Sequence, residues 1–181
     1  MTEQQLTPGT WTIDPAHSVV GFSVRHMMVS RVRGRFTKFD ATLQVAQDPL
    51  QSSLTASIDA TSIDTDNEQR DEHVRSADFF DVATHPEFTF TATGATQKDE
   101  EFIVAGELTI KGHTRPVELT VEFNGATTDP WGMERAGFHA VTEINRKDFG
   151  VDIEMPMDGG GVVVSDKIKI EIDAEFTRQA D

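Results

Sequence analysis

Hydrophobic and polar residues alternate with a period of two along most of the chain. In SVVGFSVRH, Val20, Phe22 and Val24 share one parity, while Ser23 and Arg25 take the other. Leu54, Ala56, Ile58 and Ala60 repeat the pattern, as do Phe88, Phe90 and Ala92. Phe102, Val104, Leu108 and Ile110 follow, then Val117, Leu119, Val121 and Phe123 with Glu118 and Glu122 opposite. Near the C-terminus, Ile168, Ile170, Ile172, Ala174 and Phe176 oppose Lys167, Lys169, Glu171, Asp173 and Glu175. Successive side chains of a strand point to opposite faces, so this period predicts antiparallel strands with one dry and one wet face. Eight or nine strands are expected, at about 10–14, 17–26, 31–46, 52–62, 86–96, 101–110, 115–125, 136–145 and 162–177. KDEE, KGHTR, NGATTDPWG and MDGGG separate the later ones.

One segment breaks the alternation. DNEQRDEHVRSADFFDV is rich in helix formers from Asn67 to Ala77, and Asp66 or Asn67 is placed to cap it. A short helix over about 67–77 is therefore expected between two strands. Its apolar residues Val74, Ala77 and Phe80 would cover an opening in the sheet. So many one-sided strands need closure or a second sheet to hide their dry face and edges. Periodicity alone leaves barrel and sandwich both open. A closed barrel of about eight strands encloses a space that side chains fill or one small ligand occupies.

Charge and composition narrow the function. The 181 residues are read as one domain, 1–181, with 1–9 as a loose N-terminal arm. There are 31 acidic and 16 basic residues, a formal charge of −15, which argues against nucleic acid or anionic membranes as main partners. Cysteine is absent, which excludes disulfides, thiol nucleophiles and thiolate metal sites. No apolar run is long enough for a membrane helix, so stable membrane insertion is not expected. MTEQQLTPGTW has neither a basic n-region nor an apolar h-region, which makes a cytoplasmic location the expectation.

Candidate chemistry is sparse. DPAHS brings Asp14, His17 and Ser18 together, but triad members normally converge from different elements, and no G-x-S-x-G elbow is present. D-F-G at Asp148–Gly150 lacks every other kinase motif. The six histidines form no H-x-x-x-H, and the acids from Asp64 to Glu72 lack calcium-loop spacing. No catalytic residue, metal ligand or cofactor is assigned. The basic run Arg25–Lys38 divides by parity. Arg31, Arg33 and Arg35 oppose Val32, Gly34 and Phe36, so they are expected to face water, where ion pairs contribute about 0–1 kcal/mol each. His26 continues the inward parity of Val24 and ends its strand beside the adaptable Met27 and Met28, which suits a rim contact.

Four blocks in order resemble the YceI-like family, a lipocalin-like group of polyisoprenoid-binding proteins. They are WTIDPAHSVVGFSVRHMMVSRVRGRF, DNEQRDEHVRSADFFDVATHPEFTF, GELTIKGHTRPVELTVEF and EINRKDFGV, and the likeness spans Trp11 to Phe176. The resemblance implies an all-β fold, an extended antiparallel barrel of about eight strands with a helix near one end. It also implies an elongated apolar cavity for a polyisoprenoid or isoprenoid quinone, and binding and carriage without an established catalytic centre. Fatty-acid amides and lipophilic antibiotics are associated with relatives. Many relatives carry a signal peptide, which this sequence does not show. Asn145, Arg146, Asp148 and Phe149 are typical of the family, a pattern that a turn held by Asp–Arg contacts also explains.

The resulting expectation is a barrel holding one long lipid, such as a polyprenyl phosphate or quinone, with homodimer formation left open. The expected lumen is Phe22, Val24, Val32, Phe36, Leu43, Phe88, Phe90, Phe102, Val121, Phe138, Ile144 and Ile170. His26, Met27, Met28, Arg25 and Arg146 are the expected head-group or rim contacts. The rival readings are a small hydrolase or isomerase acting on a cavity-bound ligand, and a ligand-free interaction or stress module.

Overall fold

The computed structural model describes residues 6–27, 29–153 and 164–180. Among these, β1 (Gly9–Ile13), β2 (Val19–His26), β3 (Ser30–Phe36), β4 (Phe39–Val45), β5 (Ser53–Asp59) and β6 (Ile63–Asp64) precede helix α1 (Glu68–Arg75). After it come β7 (Glu87–Lys98), β8 (Glu101–Ile110), β9 (His113–Thr128), β10 (Glu134–Asn145) and β11 (Val164–Arg178). The antiparallel order β1-β4-β5-β7-β8-β9-β10-β11 returns to β1 through Trp11–Arg178 and Ile13–Phe176 pairing, which closes a barrel. β2, β3 and β6 continue β1, β4 and β5 beyond a bend, so eight strand positions form the wall.

Local side-chain chemistry makes the bends. Asp14 accepts from Ala16 N–H and starts a one-turn 3-10 helix at Pro15, whose fixed φ suits that position. Across this interruption Ser18 Oγ accepts from Glu175 N–H at 2.9 Å, standing in for a ladder bond to β11. Asp59 likewise accepts from Thr61 N–H, and Ser62 Oγ accepts from Thr37 and Lys38 N–H at 3.1 and 3.0 Å. The bends after β3 and β5 are thus stitched together by one hydroxyl.

Two apolar clusters fill part of the interior. One, at the helix end, is built on Val20, Phe36, Ala60, Ile63, Phe88, Phe90, Leu108, Ile110 and Phe149. The other, towards the chain termini, contains Trp11, Ile13, Ala41, Val45, Ala136 and Phe176. α1 is two residues shorter at its C-terminal end than the sequence suggests. Asn67 caps it through a bond from Arg70 N–H, a contact of about 1 kcal/mol. Buried Asp71 accepts from Thr65 N–H and Oγ1, while Arg70 donates to Thr65 O and Arg75 to Thr61 O and Ile63 O. These bonds fasten α1 over the end of β6. Val74 and Phe80 pack on the core as expected, with Phe80 meeting Phe88 edge-on at 5.0 Å. Ala77 is exposed, and Phe79 is buried in its place because the helix has already ended.

Candidate functional site

The register of β2, β3 and β11 places Val24 opposite both Val32 and Ile168, and Ile170 opposite both Phe22 and Thr142. On the far wall Phe102 pairs with Val121, and Val121 with Ala140. Val24, Val32, Phe102, Ile168 and Ile170 share the parity of buried core residues on their own strands, and Val121 stands between Phe102 and buried Ala140, so all point inward.

The twelve expected lumen positions divide into groups. Phe36, Phe88 and Phe90 are buried in the helix-end cluster, with Phe22 and Ile144 packed against it. Leu43 and Phe138 pack against the other cluster. Val24, Val32, Phe102, Val121 and Ile170 are only half-buried and belong to neither cluster. Ile168, outside the expected lumen set, shares their state, and its parity with Ile170 signals the same face. Inward apolar side chains that stay half-buried keep surface that the described residues do not cover.

His26 lies at the edge of this strip, opposite Ser30 and Val164. It is half-buried, and its ring has no hydrogen bond among the described residues. Met27 sits at the hairpin tip with φ 52° and is exposed, while Met28 lies outside the described residues. Arg25 projects from the outer face opposite Arg31. Arg146 is placed differently. Its side chain is 95% buried, and its guanidinium donates to Val151 O at 2.7 Å, Ile153 O at 2.8 Å and Ser165 O at 3.2 Å, with Asp166 at 3.2 Å. It brackets the turn after β10 to the start of β11, and the acidic partner is Asp166, not the neighbouring Asp148.

The DPAHS cluster lies on the outer face at the β1–β2 bend. His17 Nδ1 is 2.7 Å from Asp14, and Arg135 bridges Asp14, Glu175 and Asp129 at 2.8–3.0 Å. The His17 hydrogen bond, with help from Arg135, holds the Asp14 carboxyl below the usual carboxylate range, and Asp14 in turn raises His17. Asp173 at 2.7 Å similarly raises His139. Asp14–His17–Glu175 and His139–Glu171–Asp173 are the two groups among the described residues with enough converging donors for a metal. In the first, Arg135 already occupies the carboxylates. Ser18 is bound to the Glu175 backbone and forms no bond with His17. An open cleft of about 560 Å³ between α1 and the bends is lined by polar groups such as Thr37, Ser62, Asp64 and Asp71, so it does not match an apolar chain.

Comparisons with known proteins place this geometry in context. The YceI-like domain family matches residues 11–176. A UPF0312 protein of Staphylococcus epidermidis is 39% identical over 169 residues, covering 92% of this chain and 96% of that protein. BcnA of Burkholderia cenocepacia superimposes with a TM-score of 0.78 at 26% identity, covering 90% of this chain and 98% of its own. A polyisoprenoid binding domain from Saccharophagus degradans, implicated in plant cell wall breakdown, shares the fold with a TM-score of 0.67 at 15% identity, over 93% and 98% of the two chains. The chain belongs to the YceI-like domain family.

Proposed function

We propose that the barrel binds one long apolar lipid, a polyisoprenoid or an isoprenoid quinone, and carries or stores it without transforming it. The observation that carries this reading is the half-buried inner wall of Val24, Val32, Phe102, Val121 and Ile170. A hydrocarbon chain needs no directional contacts along its length, and each buried methylene contributes about 0.8 kcal/mol before the cost of ordering the chain. Only the head needs a polar partner. His26, inward at the edge of the strip and without a hydrogen bond among the described residues, is the residue placed to supply it, and Met27 lies beside it. The polyisoprenoid-binding role of the Saccharophagus degradans domain, whose fold this chain shares, supports the ligand class. Arg146 is left out of the head-group set because its donors already serve the main chain and Asp166.

The test is organic extraction and mass spectrometry of the purified protein, beside native mass measurement after incubation with prenyl alcohols and quinones. One lipid per chain is expected. Val121→Phe, which fills the interior, should lower lipid occupancy while leaving the melting temperature level or higher. Absence of both co-purified lipid and uptake overturns the proposal.

A further inference from the structure

The β2–β3 hairpin combines an exposed apolar tip with an outer face of arginines. Its tip exposes Val29 at 87% and Met27 at 41%. Immediately behind the tip, Arg25 stands directly opposite Arg31, and Arg33 follows on the same outer face. Like charges directly opposite in a sheet are unfavourable, and none of these three arginines has an ion pair among the described residues. Several acids among the described residues are engaged with other cations: Asp64 with Arg35, Glu143 with Lys167, Glu171 with Lys169, and Asp166 with Arg146 and Lys147. Asp and Glu are missing from the sequence between Asp14 and Asp40, although the whole chain carries −15.

We propose that the β2–β3 hairpin docks the protein on an anionic lipid bilayer, with Met27 and Val29 entering the headgroup boundary and Arg25, Arg31 and Arg33 resting on lipid phosphates. An apolar tip in front of a cationic collar suits interfacial contact with an anionic membrane. The hairpin at Asp129–Met133 is the counter-example within the same molecule. It exposes Trp131 at 85% and Met133 at 42%, but Asp129 and Glu134 flank it and Arg135 is locked in an ion-pair network. Among the described residues, the one arginine beside that tip, Arg135, is held by carboxylates and not offered to a phosphate.

The acids at the far end of the barrel do not oppose the contact. β11 has 15 residues and starts beside the docking hairpin, so at about 3.3 Å per residue its far end lies on the order of 50 Å along the strand. Charges there are screened beyond about 8 Å at physiological ionic strength. A nucleic acid would gain nothing from the apolar tip. The bilayer contact also sets the rim at His26 against the membrane, since His26 leads directly into the tip. It stands independently of the lipid-cargo reading, because it concerns attachment and not occupancy.

The test is co-sedimentation with vesicles of equimolar phosphatidylcholine and phosphatidylglycerol, against phosphatidylcholine alone. Binding to the anionic vesicles is expected, weakening as salt rises. Each arginine removed should cost about fivefold, so Arg31→Gln with Arg33→Gln should lower partitioning about 25-fold. Val29→Ser should lower it further at fixed charge. Thermal melts of these variants should not fall, because the substituted side chains are exposed and Arg31→Gln relieves the repulsion with Arg25. Equal binding to both vesicle types, binding that ignores either change, or equally tight binding to duplex DNA overturns the proposal. Lipid content of the same protein is read separately by mass spectrometry, so failure of docking and failure of cargo binding are distinguishable.

Discussion

Arg146 is the residue whose replacement separates a wall bracket from a ligand contact. Arg146→Met keeps most of the buried stem and removes the guanidinium. The oxygens of Val151, Ile153 and Ser165 then lose their donor, and Asp166 loses a cation. An unsatisfied buried acceptor costs about 1–3 kcal/mol. Val151 is buried, whereas Ile153 and Ser165 are half-buried and water can reach them. One full penalty and two reduced ones give a loss of about 3 kcal/mol. Arg146→Lys retains a charge but cannot span three carbonyls with a single ammonium, so it should recover only part of the loss. Asp166→Asn should cost less than about 1 kcal/mol, because that carboxylate is partly solvated. Urea unfolding with an unchanged slope reads these differences directly. A loss below about 1 kcal/mol in Arg146→Met, accompanied by release of bound lipid, would refute the bracket and return Arg146 to the rim.

Two further predictions concern packing and pH. A Cβ at Gly106 would sit 2.4 Å from the Phe90 ring and 2.7 Å from Thr91 O, whereas one at Gly94 meets nothing within 4 Å. Gly106→Ala should therefore destabilise by about 1–3 kcal/mol, with Gly94→Ala near neutral, and equal shifts in melting temperature would contradict the packing described. Asp14 and Asp173 raise His17 and His139 above their ordinary value near 6.5, so these histidines stabilise the fold below about pH 6.5 and the contribution is lost as pH rises through their raised values. Asp14 and Asp129 are lowered below 3.8, and their contribution is present above that pH and lost as pH falls through their lowered values. Melting temperature should accordingly be highest between about pH 4 and 6.5, and His17→Gln with His139→Gln should flatten the alkaline shoulder of that profile.

Strand faces were legible because a one-residue slip turns every side chain to the other face. Helix α1 was legible from the loss of alternation together with the Asn67 cap. The bends were harder. Inward positions run 32, 34, 36 in β3 but 39, 41, 43 and 45 in β4, so parity inverts across Thr37–Lys38. The three-residue step from Phe36 to Phe39 was the signal, and a single strand over 31–46 conceals it. Inversions also separate Ile13 from Val20 and Ala60 from Ile63, each at a turn that an aspartate caps. What alternation cannot reveal is which inward residues meet protein atoms. Phe90 and Phe102 look alike in sequence, yet one is buried in the core and the other is half-buried. That difference depends on the fill from distant elements such as α1 and the Arg146–Phe149 turn, which no local period encodes.

The charge total was the least informative sequence quantity about partners. A sum of −15 predicts repulsion from any anionic surface only if all charges act at one distance. In an elongated barrel they do not. Screening over about 8 Å leaves each end to act through its own charges. The outer face of the β2–β3 hairpin holds three arginines without ion pairs among the described residues, while the Asp14, Asp129 and Glu175 carboxylates are gathered around Arg135 further along the wall. The gap in acidic residues between Asp14 and Asp40 was therefore a better guide than the total, because one hairpin converts a stretch of sequence into a single patch of surface. The same conversion divides that stretch by parity. Its odd residues Arg25, Arg31 and Arg33 face outward to a prospective membrane, and its even residues Val24, His26 and Val32 face inward to a prospective lipid. Attachment and cargo binding thus become separable properties of one hairpin, and substitutions on one face should leave the other measurement unchanged.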